Sequence, residues 1–240
     1  MSLFAKISPF ERKDLLVAWF ALAVAFTLGM SGILSLFVSG FSGFSPEKML
    51  LTFVVALITV GLSFVLHELA HKFTAIRFGY WAEFRKNTQM LIIAVAVAVI
   101  TGIVFAAPGA TMINTAGRAM TKKENGLISI AGPLTNLILI IPFAAVMIAG
   151  IILGGIQTSA AGMFFNPFTL AGFLFYIGWI GCQINAMLAF FNMLPVGPLD
   201  GKKILRWSPA VFGVVLVIAL VLVYLSLQPT VVANLVAMIG

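Results

Sequence analysis

The chain has 240 residues, of which 62% are apolar and only 9% charged, with a mean hydropathy of +1.15 and a formal net charge of +7. A soluble globular domain is about half apolar and about a quarter charged, so a water-soluble fold is excluded and the lipid bilayer is the implied surroundings. The basic residues sit in short clusters beside apolar runs rather than in a separate basic tract, which argues against nucleic-acid binding.

Lys6, Arg12 and Lys13 precede a first apolar helix predicted over 15–38. That run is longer than the apolar stretch of about 7–15 residues in a secretory signal and lacks a small-x-small cleavage site, so an uncleaved membrane helix is expected. Glu47 and Lys48 interrupt, and further helices are predicted over 49–75, 127–154, 167–194 and 209–227, each near the length of about 20 residues that a span needs. A short apolar tail, Val231 to Gly240, follows Pro229. No polar tract is long enough for an appended soluble regulatory domain, so residues 1–240 read as a single membrane-embedded domain. The lone cysteine, Cys182, falls inside a predicted helix and reads as a small buried apolar residue.

Segment 89–106 is apolar enough for a sixth span, but the charges disfavour it. Lys and Arg gather on the cytoplasmic side of short loops, and here they cluster at 6–13, at 72–86, at 118–123 and at 202–206, while the turn from Gly155 to Asn166 has none. If 89–106 crossed the bilayer, the third and fourth clusters would lie outside and the empty turn inside. If it re-enters, lies at the interface or packs on the bundle, all four clusters lie inside. The expected protein is therefore an all-α polytopic membrane protein of five to six spans, sited in the cell membrane with a cytoplasmic N-terminus.

Both histidines of the chain flank a glutamate in His67-Glu68-Leu69-Ala70-His71, at the end of a charge-free apolar run. Ionisable groups at membrane depth cost roughly 2.5–3.5 kcal/mol each on insertion scales, so three in one turn need a purpose. On a helix, residues four apart share a face, so both imidazoles can bind one metal while Glu68 takes a proton from an attacking water. A catalytic zinc usually has three protein ligands and one open position.

With no further histidine, the third ligand falls to an acid. Glu11, Asp14, Glu47 and Glu124 lie near basic residues and read as solvated interface charges, and Glu83 belongs to an interfacial stretch. Asp200 differs, because it ends the run Asn192-Met-Leu-Pro195-Val-Gly197-Pro198-Leu-Asp200-Gly201, whose prolines and glycines stop the preceding helix. Unwound backbone at membrane depth survives only inside protein or beside water. Asp200 is the preferred ligand, the alternative being a loop aspartate paired with Lys202 or Lys203.

Three motifs, His67-Glu68-Leu69-Ala70-His71, Ala131-Gly132-Pro133-Leu134-Thr135-Asn136 and Asn192-x-x-Pro195-x-x-x-x-Asp200-Gly201, occur in that order and resemble the site-2 protease family of intramembrane zinc metalloproteases. The resemblance implies a three-helix catalytic core at 49–75, 127–154 and 167–194. It implies one Zn²⁺ per chain on His67, His71 and Asp200, with Glu68 as general base; the charge-based threading puts the active-site opening on the cytoplasmic side. Asn136 would contact substrate or support the site, although Gly132 and its neighbours also suit plain close helix packing, and Asn192 matches a second motif position. The implied substrate is a transmembrane protein, cleaved in or near its helix in regulated intramembrane proteolysis. A substrate-pairing strand is implied near Pro108-Gly-Ala-Thr111-Met-Ile-Asn114, where the alternative is a plain loop.

Two departures stand out. The 89–106 insertion exceeds the short connection of the simplest relatives, and the PDZ-like or CBS-like domain of many members is missing from this sequence. The rival reading is a metal transporter or an inactive metal-binding homologue. A transporter needs polar groups along a path through the membrane, and an inactive homologue should have lost Glu68 or a ligand.

Overall fold

The computed structural model describes residues 7–42, 44–102, 104, 109–159 and 162–239. These form two compact units, Met1–Met120 and Thr121–Gly240.

The first unit begins with α1 (Pro9–Met30), in which the Ser8 hydroxyl caps the start by accepting from the Glu11 amide at 3.1 Å. Proline at the first helical position costs nothing, because its missing N–H is one the helix end cannot use. The same Ser-Pro start opens α3 (Pro46–Arg77) at Ser45-Pro46. Between them, Gly32 takes a left-handed φ of +56° and breaks the predicted 15–38 helix into α1 and the short α2 (Ile33–Val38). A left-handed residue cannot continue a right-handed helix, and glycine adopts it without a Cβ penalty. Trp19 lies across Gly61, where a Cβ would stand 2.1 Å from its Nε1, and donates to Leu57 O at 2.8 Å. It is thus a packing residue between α1 and α3.

Past α3 come β1 (Trp81–Lys86), α4 (Thr88–Thr101) and β2 (Gly109–Asn114). The strands pair antiparallel from Trp81 with Asn114 to Lys86 with Gly109. That register places Lys86 and Gly109 side by side at one end of the ladder, so the chain leaves the sheet after Lys86 and rejoins it at Gly109. The 14 residues of α4 are also too short to span: about 21 Å at 1.5 Å per residue against a hydrocarbon core of about 30 Å. Of the readings offered for 89–106, the described residues fit those in which it does not cross the bilayer as a helix of its own. Residues 103 and 105–108 of this stretch, including Pro108 of the predicted turn, lie outside the described residues. α4 runs along α1: the Lys86 amide meets Asp14 Oδ2 at 3.4 Å at one end, and a Cβ on Gly29 would lie 3.2 Å from Gly102 O at the other.

The second unit is built on α5 (Lys122–Ile152), whose start carries a full capping box between Thr121 and Glu124. A short hairpin of β3 (Gln157–Ser159) and β4 (Gly162–Phe164) leads to α6 (Leu170–Asn192), then α7 (Asp200–Trp207), α8 (Pro209–Leu227) and α9 (Pro229–Ile239). Glycines let α5 and α6 touch backbone to backbone, since a Cβ on Gly150 would lie 2.3 Å from Phe175 N and one on Gly178 2.2 Å from Met147 N. In lipid there is little hydrophobic drive between helices, and such close approach supplies the van der Waals contact that replaces it. Met147, Ile151, Ile156, Phe175 and Val232 form one core cluster, and Ile130, Met193, Ile204 and Val215 another.

Five helices among the described residues, α1, α3, α5, α6 and α8, are long and apolar enough to cross a bilayer. The last four match the predicted spans within a few residues, apart from the polar start of α5, whereas α1 starts six residues before the predicted 15–38 and ends eight residues short of it, at the Gly32 break.

Candidate active site

In the first unit, α3 brings His67, Glu68 and His71 together in one turn, all three buried. The two imidazoles stand edge to face, with Nε2 3.1 Å from Nε2. Two zinc–nitrogen bonds of about 2.0–2.1 Å at a tetrahedral angle would put their nitrogens about 3.3 Å apart. The pair therefore fits one zinc ion. Upstream on the helix, the hydroxyls of Thr59 and Ser63 donate to the carbonyls of Val55 and Thr59 at 2.8 and 2.6 Å, so these buried polar groups are satisfied locally.

Glu68 faces the small sheet, where its Oε2 lies 3.0 Å from the Thr111 hydroxyl on β2. Phe64, Glu68 and Lys72, four residues apart, form one ridge of α3 against the sheet and α1. The Phe64 ring meets Phe84 edge to face at 5.5 Å, and the Lys72 ammonium is paired with the Glu11 carboxylate, both side chains essentially inaccessible. The other oxygen of Glu11 accepts from the Phe84 amide at 3.0 Å. Glu11 was expected to be a solvated interface charge and is instead fully buried. The reason is its pairing: a buried carboxylate needs a counter-charge and hydrogen bonds, and Lys72 and Phe84 supply them. Asp14 and Glu83 are also less solvated than expected, with side chains 20% and 12% exposed: Glu83 pairs with Arg85, and Asp14 lies 3.9 Å from Arg85 and 3.8 Å from Lys86, while Glu124 serves the cap of α5.

In the second unit, Asp200 is the first residue of α7 and is buried, with Oδ1 3.3 Å from the half-exposed Lys203 ammonium. Gly201 makes that placement possible, because a Cβ there would stand 2.0 Å from Met193 O at the end of α6. The unwound stretch before it includes Gly197 at φ +52°. Asn136 on α5 is fully buried and donates to Asn185 Oδ1 on α6 at 3.0 Å, while Asn185 donates to Gly181 O at 2.9 Å. Asn192, at the end of α6, donates to Leu188 O at 2.9 Å on its own helix. Cys182 sits on α6 with Sγ 3.7 Å from Ile140 O.

Three residues of consequence escaped the sequence reading. Asn185 carried a signal, since an amide in the middle of a span demands a partner. Thr111 carried only that of the implied strand, and Glu11 carried none.

The profile of Peptidase family M50 matches residues 55–215. The chain is 38% identical over 170 residues to "Putative zinc metalloprotease MJ0611" of Methanocaldococcus jannaschii, covering 71% of this chain and 78% of that protein. It is 31% identical over 157 residues to "Putative zinc metalloprotease YwhC" of Bacillus subtilis, covering 62% of this chain and 66% of that protein. It is also 31% identical over 144 residues to "Putative zinc metalloprotease Rip3" of Mycobacterium tuberculosis, covering 60% of this chain and 28% of that protein. No solved structure matches it significantly. Zinc is the metal that the family and these relatives imply, and the imidazole pair suits it. The chain belongs to Peptidase family M50, the site-2 protease family, and its five long apolar helices make it an integral multi-pass membrane protein.

Proposed function

We propose that the protein is an intramembrane metalloendopeptidase that hydrolyses peptide bonds in or near the transmembrane helices of membrane-protein substrates. The observation that carries this reading is the buried turn of α3, in which two imidazole nitrogens 3.1 Å apart flank a glutamate inside a membrane span. In this proposal residues 1–240 act as one peptidase domain. His67, His71 and Asp200 hold one Zn²⁺, Glu68 is the general base, and Asn136 and Asn192 support substrate or site.

The third ligand rests on chain threading and chemistry. With α1, α3, α5, α6 and α8 as spans, every basic cluster falls on one side, and that side is cytoplasmic by the charge rule. The end of α3 that carries His71 and the end of α6 that leads to Asp200 then reach the same side, where water is available. Asp200 is buried and offers a carboxylate oxygen, a ligand type that a catalytic zinc takes beside two imidazoles.

Zinc, when bound, polarises a peptide carbonyl and makes water acidic enough to lose a proton near neutral pH. Glu68 takes that proton on its carboxylate and returns it to the leaving amine. A substrate helix hides its carbonyls in internal hydrogen bonds, so it must unwind locally before attack. The edge of β2 away from β1 has no strand partner among the described residues and lies beside Glu68 through Thr111, which suits it to hold an unwound segment by strand addition.

The test is zinc content together with cleavage of a helix-destabilised transmembrane substrate in detergent. Wild type should carry one zinc and cleave. Glu68→Ala should keep zinc and lose activity by roughly 10²-fold or more, and Asp200→Ala should lose both. Wild type that binds zinc yet cleaves no such substrate would favour a transporter or an inactive metal-binding protein. Asp200→Ala that keeps its zinc would remove Asp200 from the ligand set.

A further inference from the structure

We propose that Thr111 is the positioning residue for the Glu68 carboxylate, holding it in one orientation from the neighbouring strand. Its role in turnover rests on the peptidase reading, but its effect on the Glu68 carboxylate does not.

Thr111 Oγ1 lies 3.0 Å from Glu68 Oε2 and 3.2 Å from the Glu68 main-chain oxygen. A hydroxyl has one proton to give, and an ionised carboxylate is the stronger acceptor of the two. A glutamate side chain turns about three bonds, so a carboxylate without an anchor divides its time among several rotamers. A general base, by contrast, must stay within hydrogen-bond reach of the proton it takes.

The anchor is itself rigidly held. Thr111 is the cross-strand partner of Phe84. Phe84 is buried with its ring against Phe64, and its amide is bonded by Glu11, whose other oxygen is paired with Lys72 one turn beyond Glu68 on α3. The contacts close a ring: Glu68 to Thr111, across the ladder to Phe84, to Glu11, to Lys72, and back along one helical turn. Glu11 comes from α1, which lies outside the matched segment 55–215. The hydroxyl is thus placed by three separate elements of the first unit.

The experiment compares wild type, Thr111→Val, which keeps the shape and removes the hydroxyl, and Thr111→Ser, which restores it. Purified full-length chain with bound zinc is measured for kcat and KM on a transmembrane model substrate. In parallel, infrared spectra of glutamate-¹³C-labelled protein identify the Glu68 carboxylate band by its loss in Glu68→Gln. Thr111→Val is expected to lower kcat roughly tenfold or more with KM and zinc content unchanged, in keeping with loss of a hydrogen bond to a charged group. Thr111→Ser should recover most of the rate, and the Glu68 band should move in the valine variant only. A merely structural threonine would change stability without this split and without serine rescue. An unmoved Glu68 band in Thr111→Val, or an unchanged kcat in an active enzyme, overturns the proposal. If wild type cleaves nothing and the band still moves, the peptidase reading fails and the positioning role stands; if wild type cleaves nothing and the band stays, both fail.

Discussion

The two units solve the same problem, holding a few polar groups inside a membrane, by opposite means. The first uses charge: the buried Glu11–Lys72 pair joins α1 to α3 and, through the Phe84 amide, to β1. The second uses the absence of side chains: Gly150, Gly178 and Gly201 let backbones touch, and the buried Asn136 amide donates to Asn185 on the facing helix. Polar cross-links suit a small sheet that must be joined to two helices at once. Glycine contacts suit two long helices that lie side by side. The contrast implies that the first unit depends on a single buried charge pair, while the α5–α6 seam of the second is sensitive to gain of a single methyl group.

That contrast can be broken most forcefully at Lys72. Replacing it with methionine leaves the Glu11 carboxylate buried without its counter-charge, and the expected loss is about 3–5 kcal/mol, read as a large drop in thermal stability in detergent. Adding Glu11→Leu should recover much of that loss, because an apolar pair of similar volume often replaces a buried ion pair at little cost. If the single variant is as stable as wild type, charge does not hold this unit together.

A smaller effect is expected in the second unit from Gly178→Ala, whose Cβ would stand 2.2 Å from Met147 N; overpacking of this kind costs about 1–3 kcal/mol. Gly213→Ala on α8, where a Cβ meets nothing within 4 Å, is the control and should be neutral or slightly stabilising. Equal behaviour of the two alanine variants would show that glycine contact is not what sets the α5–α6 packing.

The smallest effect belongs to the amide pair. A double-mutant cycle with Asn136→Leu and Asn185→Leu should give a coupling of about 0.6 kcal/mol, and at most about 1.7, as for other hydrogen bonds between membrane helices. A coupling several times larger would mean that amides as well as glycines carry the second unit, and a value near zero that glycines carry it alone.

Much of this could be read from the chain before its fold was known. The spans were legible because lipid demands long apolar runs, and the turn around Glu68 because two histidines four apart share a helix face whatever surrounds them. Asp200 stood out because prolines and glycines mark the unwound backbone before it. The break at Gly32 was missed because apolar character continues through it and only the backbone changes hand. The true start of α1 was missed because Glu11 looks like a surface charge until Lys72, 61 residues away, is brought to it.

The sequence by itself therefore determined whatever depends on local spacing and transfer into lipid: the spans and the histidine and glutamate pattern. Tertiary structure alone decided that the chain rejoins its own sheet at Gly109, that Thr111 reaches Glu68, and that Glu11 is buried. The physical reason is that hydropathy and helical periodicity act over a few residues. The pairing of β1 with β2 and of Glu11 with Lys72 depends instead on which distant segments pack together, and no local pattern encodes that.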